Sequence, residues 1–374
     1  MAGTGSPVIS AWSAISPWGL TTAEFAAGLR ARRRTAAPLD RTQWTVPVGQ
    51  ACLVPGFDVR TELGRKGTRS MDRATGLAVA AVGRLLAGDG TERLPGVSSD
   101  AGLVLGTTTG SAQSMMDFTR ESLTSTRPYL VDPARFPSTV MNCAAGQAAI
   151  WHRLEGPNAT VASGRATGLM TLQYALRLHR AGRAATLLCG AVEEFSAARA
   201  WLAWHGRAVD AAEAAGASGP VLGEGAAVWL LEPSEAARAH GRAGLAEPLG
   251  LEFGFARDRA AVRPVLAGCL RRLLDRGGLV PADVWLVADS QQADADGEAE
   301  RAALSDVVGA AGLRVGCMDC IGDTSAASAA FQVAAVLACA AGMEATGRLA
   351  LVTSVEAGGV VAAAALRLLD GRRD

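Results

Sequence analysis

The sequence predicts an α/β fold built from two similar halves. Short runs rich in Val and Leu alternate with Ala-rich amphipathic stretches along the 374 residues, as expected when helices cover a sheet. The order of these segments repeats on the two sides of Glu232-Pro233. Hydrophobic residues make up 49% of the chain and charged residues 19%, which is ample material for a large core.

The predicted elements follow one another in alternation. Strands are predicted at residues 8–14, 101–105, 159–162, 184–189, 226–231, 284–288 and 349–353. Helices are predicted at residues 22–30, 72–87, 168–181, 262–276, 298–309 and 325–341. The two halves are residues 1–233 and 243–374, with a polar helical segment between them. Packing of two such halves would place a site between them, at the strand ends.

Composition and charge argue against several classes of partner. Lys plus Arg and Asp plus Glu both number 36, so the basic excess of a nucleic-acid-binding protein is missing. The first ten residues lack a basic segment followed by an apolar one, so no signal peptide is predicted. The most apolar stretches, such as residues 329–341, are too short and Ala-rich to span a bilayer. We expect a cytoplasmic protein without nucleic-acid or membrane partners.

The seven cysteines are predicted to be reduced and buried. Their number is odd and most of them lie in apolar segments, a pattern that fits a reducing compartment. Cys317 and Cys320 form a C-x-x-C, but no second pair or nearby His accompanies them, so buried thiols are favoured over a metal site. No metal and no cofactor are expected.

Several short motifs, taken together and in order, resemble one family. They are R-S-M-D-R at 69–73, the Gly-rich turn G-T-T-T-G-S at 106–111, F-P-S-T-V-M-N at 136–142 followed by A-A-G, and L-G-E-G-A-A at 222–227. In this order they resemble the β-ketoacyl synthases of the thiolase superfamily. The resemblance implies a thiolase-like fold with duplicated αβαβα five-layered halves, and a dimer.

The resemblance also implies a catalytic site that this sequence has lost. The family elbow T-V-x-x-x-C-x-x-G appears at residues 160–168 with Arg165 in the Cys position, and a guanidinium stays protonated and cannot be acylated. Ser290 stands at the position of the first family His and Asp323 at that of the second. No histidine follows His240, and Lys66 is the only lysine, so a small shift in register cannot restore these groups.

Loss of all three groups resembles the chain length factors of type II polyketide synthases, the ketosynthase beta subunits. These pair with an active ketosynthase alpha subunit and help to form the tunnel for the growing chain. The resemblance therefore implies a non-catalytic heterodimer subunit that meets acyl carrier protein through the complex, in antibiotic biosynthesis. Aromatic-pathway members carry Gln at the Cys position, so Arg165 suggests a reduced or polyene chain.

Candidate site residues form two groups. The tunnel or interface candidates are Thr109, Ser111, Met115, Met116, Phe118, Phe136, Trp201 and Trp204, although Met and aromatic residues at such spacing equally suit a plain core. A charge in the former catalytic cavity needs a partner, and Arg165 is expected to pair with Asp323, Glu356 or both.

Two other functions are open to a chain of this kind. One is a homodimeric ketosynthase-fold protein that holds an acyl ligand without chemistry. The other is a divergent acyltransferase or hydrolase with Ser163, Cys143 or Cys189 as the nucleophile, but the second half offers no imidazole as a base. Solubility as a homodimer would favour the first, and activity of the chain alone the second.

Overall fold

The computed structural model of the chain describes residues 5–88, 90, 92–210, 220–341 and 343–371, with backbone only for 207–210. The strands in the described part are β1 (Pro7–Ile15), β2 (Ala37–Pro38), β3 (Gln50–Ala51), β4 (Gly102–Gly106), β5 (Asn158–Val161), β6 (Leu187–Glu193), β7 (Gly225–Pro233), β8 (Ala246–Phe255), β9 (Val284–Ala288), β10 (Leu313–Val315), β11 (Leu349–Val355) and β12 (Val360–Leu368).

The helices in the same part are α1 (Thr22–Arg30), α2 (Val59–Leu63), α3 (Arg73–Ala87), α4 (Ala112–Thr124), α5 (Cys143–His152), α6 (Thr167–Arg180), α7 (Ala197–Asp210), α8 (Ser234–Ala239), α9 (Arg259–Gly277), α10 (Ala295–Val308), α11 (Met318–Ile321) and α12 (Ser328–Ala340). Short 3₁₀ turns lie at Pro133–Thr139, Pro281–Asp283 and Ser325–Ala327.

The sheet shows the duplication directly. Ten strands run in the order β10-β9-β11-β12-β8-β1-β7-β6-β4-β5, and β1 meets β8 at Ile9 and Ala246. Each half contributes five strands to this sheet, and β2 and β3 form a separate one. Numbered along the chain within each half, the five strands lie in the order first, fifth, fourth, second and third from the central pair outward. The predicted α/β fold with duplicated halves is confirmed, while the boundaries 1–233 and 243–374 stay a prediction.

Helices lie in three layers around these strands. Helices α3 and α5 pack on the first half of the sheet, and α9 and α10 on the second half. Helices α6 and α12 pack against each other in the core cluster that joins the halves. Gly168 permits this contact, because a Cβ there would lie 2.3 Å from the backbone nitrogen of Ala330.

Most of the predicted elements are present, with characteristic errors. The strand predicted at 184–189 lies at Leu187–Glu193, since the chain turns before it and the burial of its terminal Glu193 is not visible from the sequence. The first residues of the predicted helix 325–341 form a 3₁₀ turn. Strand β12 was not predicted, because its run of alanines resembles a helical segment, and β8 was missed because it carries Glu247, Pro248 and Glu252.

Candidate functional site

Arg165 lies in the tight turn between β5 and α6. The turn depends on Gly164, whose φ of +53° is a left-handed conformation, and a Cβ there would lie 2.1 Å from the Glu356 carboxylate. Thr167 stabilises the turn, because its Oγ1 donates to the carbonyl of Gly164 at 2.6 Å and accepts the N–H of Ser163 at 2.8 Å. Helix α6 of the central layer therefore begins at Thr167, two residues after Arg165.

The structure brings Arg165, Asp323 and Glu356 together. The Arg165 Nη2 lies 2.6 Å from the Asp323 Oδ2, and the backbone N–H of Arg165 donates to the Glu356 Oε2 at 2.6 Å. The two paired side chains are 14% and 7% exposed. Asp323 also accepts the N–H of Ser325 at 2.8 Å. The central site is therefore an ion pair between the two halves of the chain.

Both partners of the ion pair are held in their charged forms. Burial by itself would raise the pKa of Asp323, but the charges of Arg165 and Arg199 outweigh it and hold that pKa below its ordinary value. Burial would likewise lower the pKa of Arg165, but Asp323 and then Glu356 raise it. The Nε of Arg165 is buried and has no hydrogen-bond partner among the described residues.

Ser290 belongs to a second buried polar cluster, at the end of β9. Its hydroxyl donates to Glu300, whose other carboxylate oxygen accepts from the Thr353 hydroxyl at 2.7 Å. The side-chain amide of Gln292 donates to the Ser290 hydroxyl at 3.1 Å. Burial, and then the charge of Asp289, raise the pKa of Glu300 to about 7.

A small cavity lies against Ser290 and against the residues on either side of Asp323. Its volume is about 10 Å³, and it is lined in part by Asp289, Ser290, Gly322, Thr324 and Gln332. That is room for about one water molecule, whereas small-molecule sites typically enclose roughly 300–1,000 Å³. The sequence did not single out Asp289, although it directly precedes Ser290, or Gln332, because their proximity depends on chain folding.

A wider cleft lies away from this region. It has a volume of about 800 Å³ and is lined by Trp12, Leu245, Leu337 and Arg348 among others, beside the end of α12. None of the predicted site residues lines it, so its size has no bearing on the central site.

Helix α4 and the turn at Pro133–Thr139 carry four of the eight tunnel or interface candidates. Met116 is 43% exposed and Phe136 58%, and Met115 is also exposed. The rings of Phe118 and Phe136 meet edge to face with centroids 6.0 Å apart. We call this exposed apolar surface the α4 face; its residues are Met115, Met116, Phe118, Phe136, Val140 and Met141.

The remaining candidates flank this face. Thr109 is exposed just before α4, whereas Ser111 is buried and caps the helix by accepting the N–H of Ser114. Trp201 and Trp204 lie exposed on α7, where the Trp201 indole donates to the carbonyl of Thr45 at 3.1 Å. Neither Trp lines the small central cavity.

The alternative nucleophiles lack the surroundings that would activate them. Burial raises the pKa of the Cys189 thiol, and burial followed by the charge of Asp72 raises that of Cys143. The histidines are engaged elsewhere: His152, His179 and His240 lie against backbone carbonyls, and His205 stacks on Trp201. All seven cysteines are unpaired.

The described residues contain neither a metal-binding cluster nor a membrane-spanning helix. No group of three or more His, Cys, Asp or Glu side chains is arranged to hold a metal ion in that part of the chain. Among the helices there, none has the length and apolar character needed to cross a membrane.

Comparison with known proteins identifies the family. Residues 7–237 match the family described as beta-ketoacyl synthase, N-terminal domain. The chain belongs to this family. Among curated relatives, a 3-oxoacyl-[acyl-carrier-protein] synthase 2 from Vibrio cholerae is 30% identical over 219 residues, covering 56% of this chain and 52% of that protein. A namesake from Rhizobium meliloti is 29% identical, with coverages of 64% and 62%. The match thus spans about half of the Vibrio protein.

Solved structures extend the likeness across the whole chain. The ishigamide ketosynthase/chain length factor is 45% identical with a TM-score of 0.90, covering 98% of this chain and 100% of its own. A beta-ketoacyl synthase from Burkholderia phymatum is 19% identical with a TM-score of 0.81 and the same coverages. A type II polyketide ketosynthase solved with its acyl carrier protein is 17% identical, with a TM-score of 0.78 and the same coverages. The last two show the fold alone, and the thiolase-like fold is confirmed.

Proposed function

We propose that this chain is the non-catalytic chain length factor of a type II polyketide synthase, paired with an active ketosynthase. The observation that carries the proposal is the Arg165–Asp323 ion pair at the elbow, beside a cavity of only about 10 Å³. An acylated nucleophile needs space for its acyl chain, and a cavity of about 10 Å³ is too small to hold one.

The residues present also fail the chemistry of chain extension. A ketosynthase needs a thiolate to carry the acyl group and imidazoles to stabilise the oxyanion that develops. Asp323 is held as a carboxylate by two arginines, and a carboxylate would repel such an oxyanion. Ser290 is committed to the buried Glu300. The residues at the three catalytic positions therefore support a structural role.

The surface supports a partner of the same fold. The α4 face exposes several large apolar side chains next to each other, a feature typical of protein interfaces. Strand β5 is the outer strand of the sheet, and within the described chain it pairs only with β4. An open strand edge and an exposed apolar face both suit a large dimer interface with an active ketosynthase, and acyl carrier protein would be met through that complex.

The finer assignment follows from the comparison. Identity is 45% to the ishigamide system and 17% to the hexaketide-bound system, which favours a pathway similar to the former. Together with Arg165 in place of the Gln of aromatic-pathway members, this supports a reduced or polyene chain. The α4 face, with Thr109 and Ser111, would line the tunnel. The seven free thiols fit a protein that works in the reducing cytoplasm.

Co-expression with a ketosynthase whose gene lies beside the gene of this chain tests the proposal. Size-exclusion chromatography should give a 1:1 complex that extends malonyl-loaded carrier protein, while neither subunit extends it alone. Arg165→Ala in this chain should leave extension active if the complex forms, because Arg165 does no chemistry. Extension by this chain alone would overturn the proposal in favour of the divergent acyltransferase. A soluble homodimer that binds acyl ligand and ignores the ketosynthase would favour the acyl-binding protein.

A further inference from the structure

A second arginine, Arg199, is buried beside the central site. It lies in the first turn of α7, is 8% exposed, and its guanidinium donates four hydrogen bonds. Nη1 donates to the carbonyls of Glu194 at 2.7 Å and Gly223 at 2.6 Å. Nη2 donates to the carbonyl of Asp323 at 2.8 Å and the hydroxyl of Ser325 at 2.9 Å. One side chain thus fixes three separate backbone segments.

Glu194 continues this network toward helix α4. Arg199 holds the backbone carbonyl of Glu194, while the buried carboxylate accepts the N–H of Gln113 at 3.4 Å and the Ser111 hydroxyl at 3.2 Å. These two donors form the first turn and the cap of α4. A carboxylate at this end of a helix satisfies N–H groups that have no partner within the helix.

Gln113 closes the connection from the other side. Its side-chain oxygen accepts the N–H of Ala198, the residue before Arg199, at 3.0 Å. Helices α4 and α7 are therefore joined at their first turns by the bond between Gln113 and Ala198. Arg199 supports the same junction through Glu194. Because a guanidinium presents its donors in a rigid fork, the positions of its acceptors are fixed relative to one another.

We infer that Arg199 is a positioning residue that couples the ion-paired central site to helix α4 and so sets where Met115 and Met116 lie. The effect of that position on chain length rests on the proposed function, whereas the coupling between the central site and α4 is a property of this chain alone. The route runs from Arg165 through Asp323 and Arg199 to Glu194 and α4, with every step a hydrogen bond. The sequence gives no sign of it, since Arg199 belongs to no motif.

Hydrogen exchange of the full-length chain, alone and in complex with the ketosynthase, tests the coupling. In Arg199→Met, amide exchange in α4 should rise about tenfold while α9 and α10 keep their protection, because only the α4 anchor is lost. Arg199→Lys keeps the charge but not the fork and should restore part of the protection. Arg263→Met, which breaks the exposed pair with Asp306, is the matched control and should change neither region.

The product distribution supplies a readout that general destabilisation would not move. The Arg199→Met complex should release a broader range of chain lengths than wild type, and Arg199→Lys should narrow it again. If Arg199→Met does not fold, Gln113→Met removes the bond between α4 and Ala198 of α7, together with the Gln113–Asp117 bond within α4, and should give the same two effects. Asp117→Ala, which removes contacts within α4 alone, is its control and should give neither effect. Unchanged α4 exchange, or an equal rise throughout the chain, would overturn the coupling. Local loosening of α4 in a chain that never binds a ketosynthase would support the coupling and count against the proposed function.

Discussion

At the central site Arg165 and Asp323 are buried 2.6 Å apart, whereas on the α4 face Met116 is 43% exposed and Phe136 58%. Charged side chains are inside and apolar ones outside, the reverse of an ordinary soluble surface. The buried charges are paired within the chain, whereas Met116 and Phe136 stay exposed even though the Phe136 ring meets that of Phe118. Under the proposed function, the interior is closed to substrate and the α4 face is kept for a partner.

The largest expected effect comes from removing one member of the buried pair. Asp323→Ala leaves the Arg165 guanidinium buried without its counter-charge and should lower the free energy of unfolding by about 3–5 kcal/mol, measured by denaturant unfolding. Asp306→Ala, which breaks the exposed pair with Arg263, is the matched control and should have little effect. Equal effects at the two sites would show that the central ion pair is not specially buried.

A charge placed on the exposed α4 face should weaken partner binding and leave the fold of the isolated chain intact. Met116→Asp places a charge in the α4 face and should weaken binding to the ketosynthase by about 100-fold, measured by titration calorimetry. The melting temperature of the isolated chain should change little, since Met116 is exposed. Leu313→Asp, at an exposed position of β10 on the opposite edge of the sheet, controls for added charge and should leave binding intact.

The pH dependence of stability sharpens the view of the interior. The pKa of Glu300 is about 7, above its ordinary value of 4.5, so the folded chain keeps a proton that the unfolded chain has lost. Stability from this group is therefore complete below about pH 4.5 and is lost as pH rises through about 7. Burial, and then Asp72, raise the pKa of Glu194 to about 7 as well. Glu300→Gln should reduce the loss of stability between pH 5 and 8, measured by denaturant unfolding, and Glu194 should account for part of the loss that remains.

The smallest expected effect concerns chain length. Thr109→Trp adds volume at an exposed position before α4 and, if this region lines the tunnel, should shorten the product, measured by mass spectrometry of the carrier-bound chain. The melting temperature should stay near that of wild type. Products of unchanged length would exclude Thr109 from the tunnel wall and leave the α4 face as an interface only.

The helices and strands that local periodicity marks were largely predictable. Strand β9 lies where predicted, since five apolar residues between turn signals suffice to identify it. Strand β12 was missed because its run of alanines resembles a helical segment, and its pairing with β8 and β11 decides its form. The tertiary pairing of distant segments thus overrides a local preference.

The sequence by itself determined the family, Arg165 at the elbow and the absence of histidine beyond His240, because these are identities at positions that motifs mark. Only the tertiary structure decided that Arg199 reaches Asp323, more than a hundred residues along the chain, and that the cavity at Ser290 has a volume of only about 10 Å³. Hydrogen bonds and packing depend on distances between segments that no local pattern encodes. The same reason explains why Met115 and Met116, equally suited to a core by composition, lie on the surface.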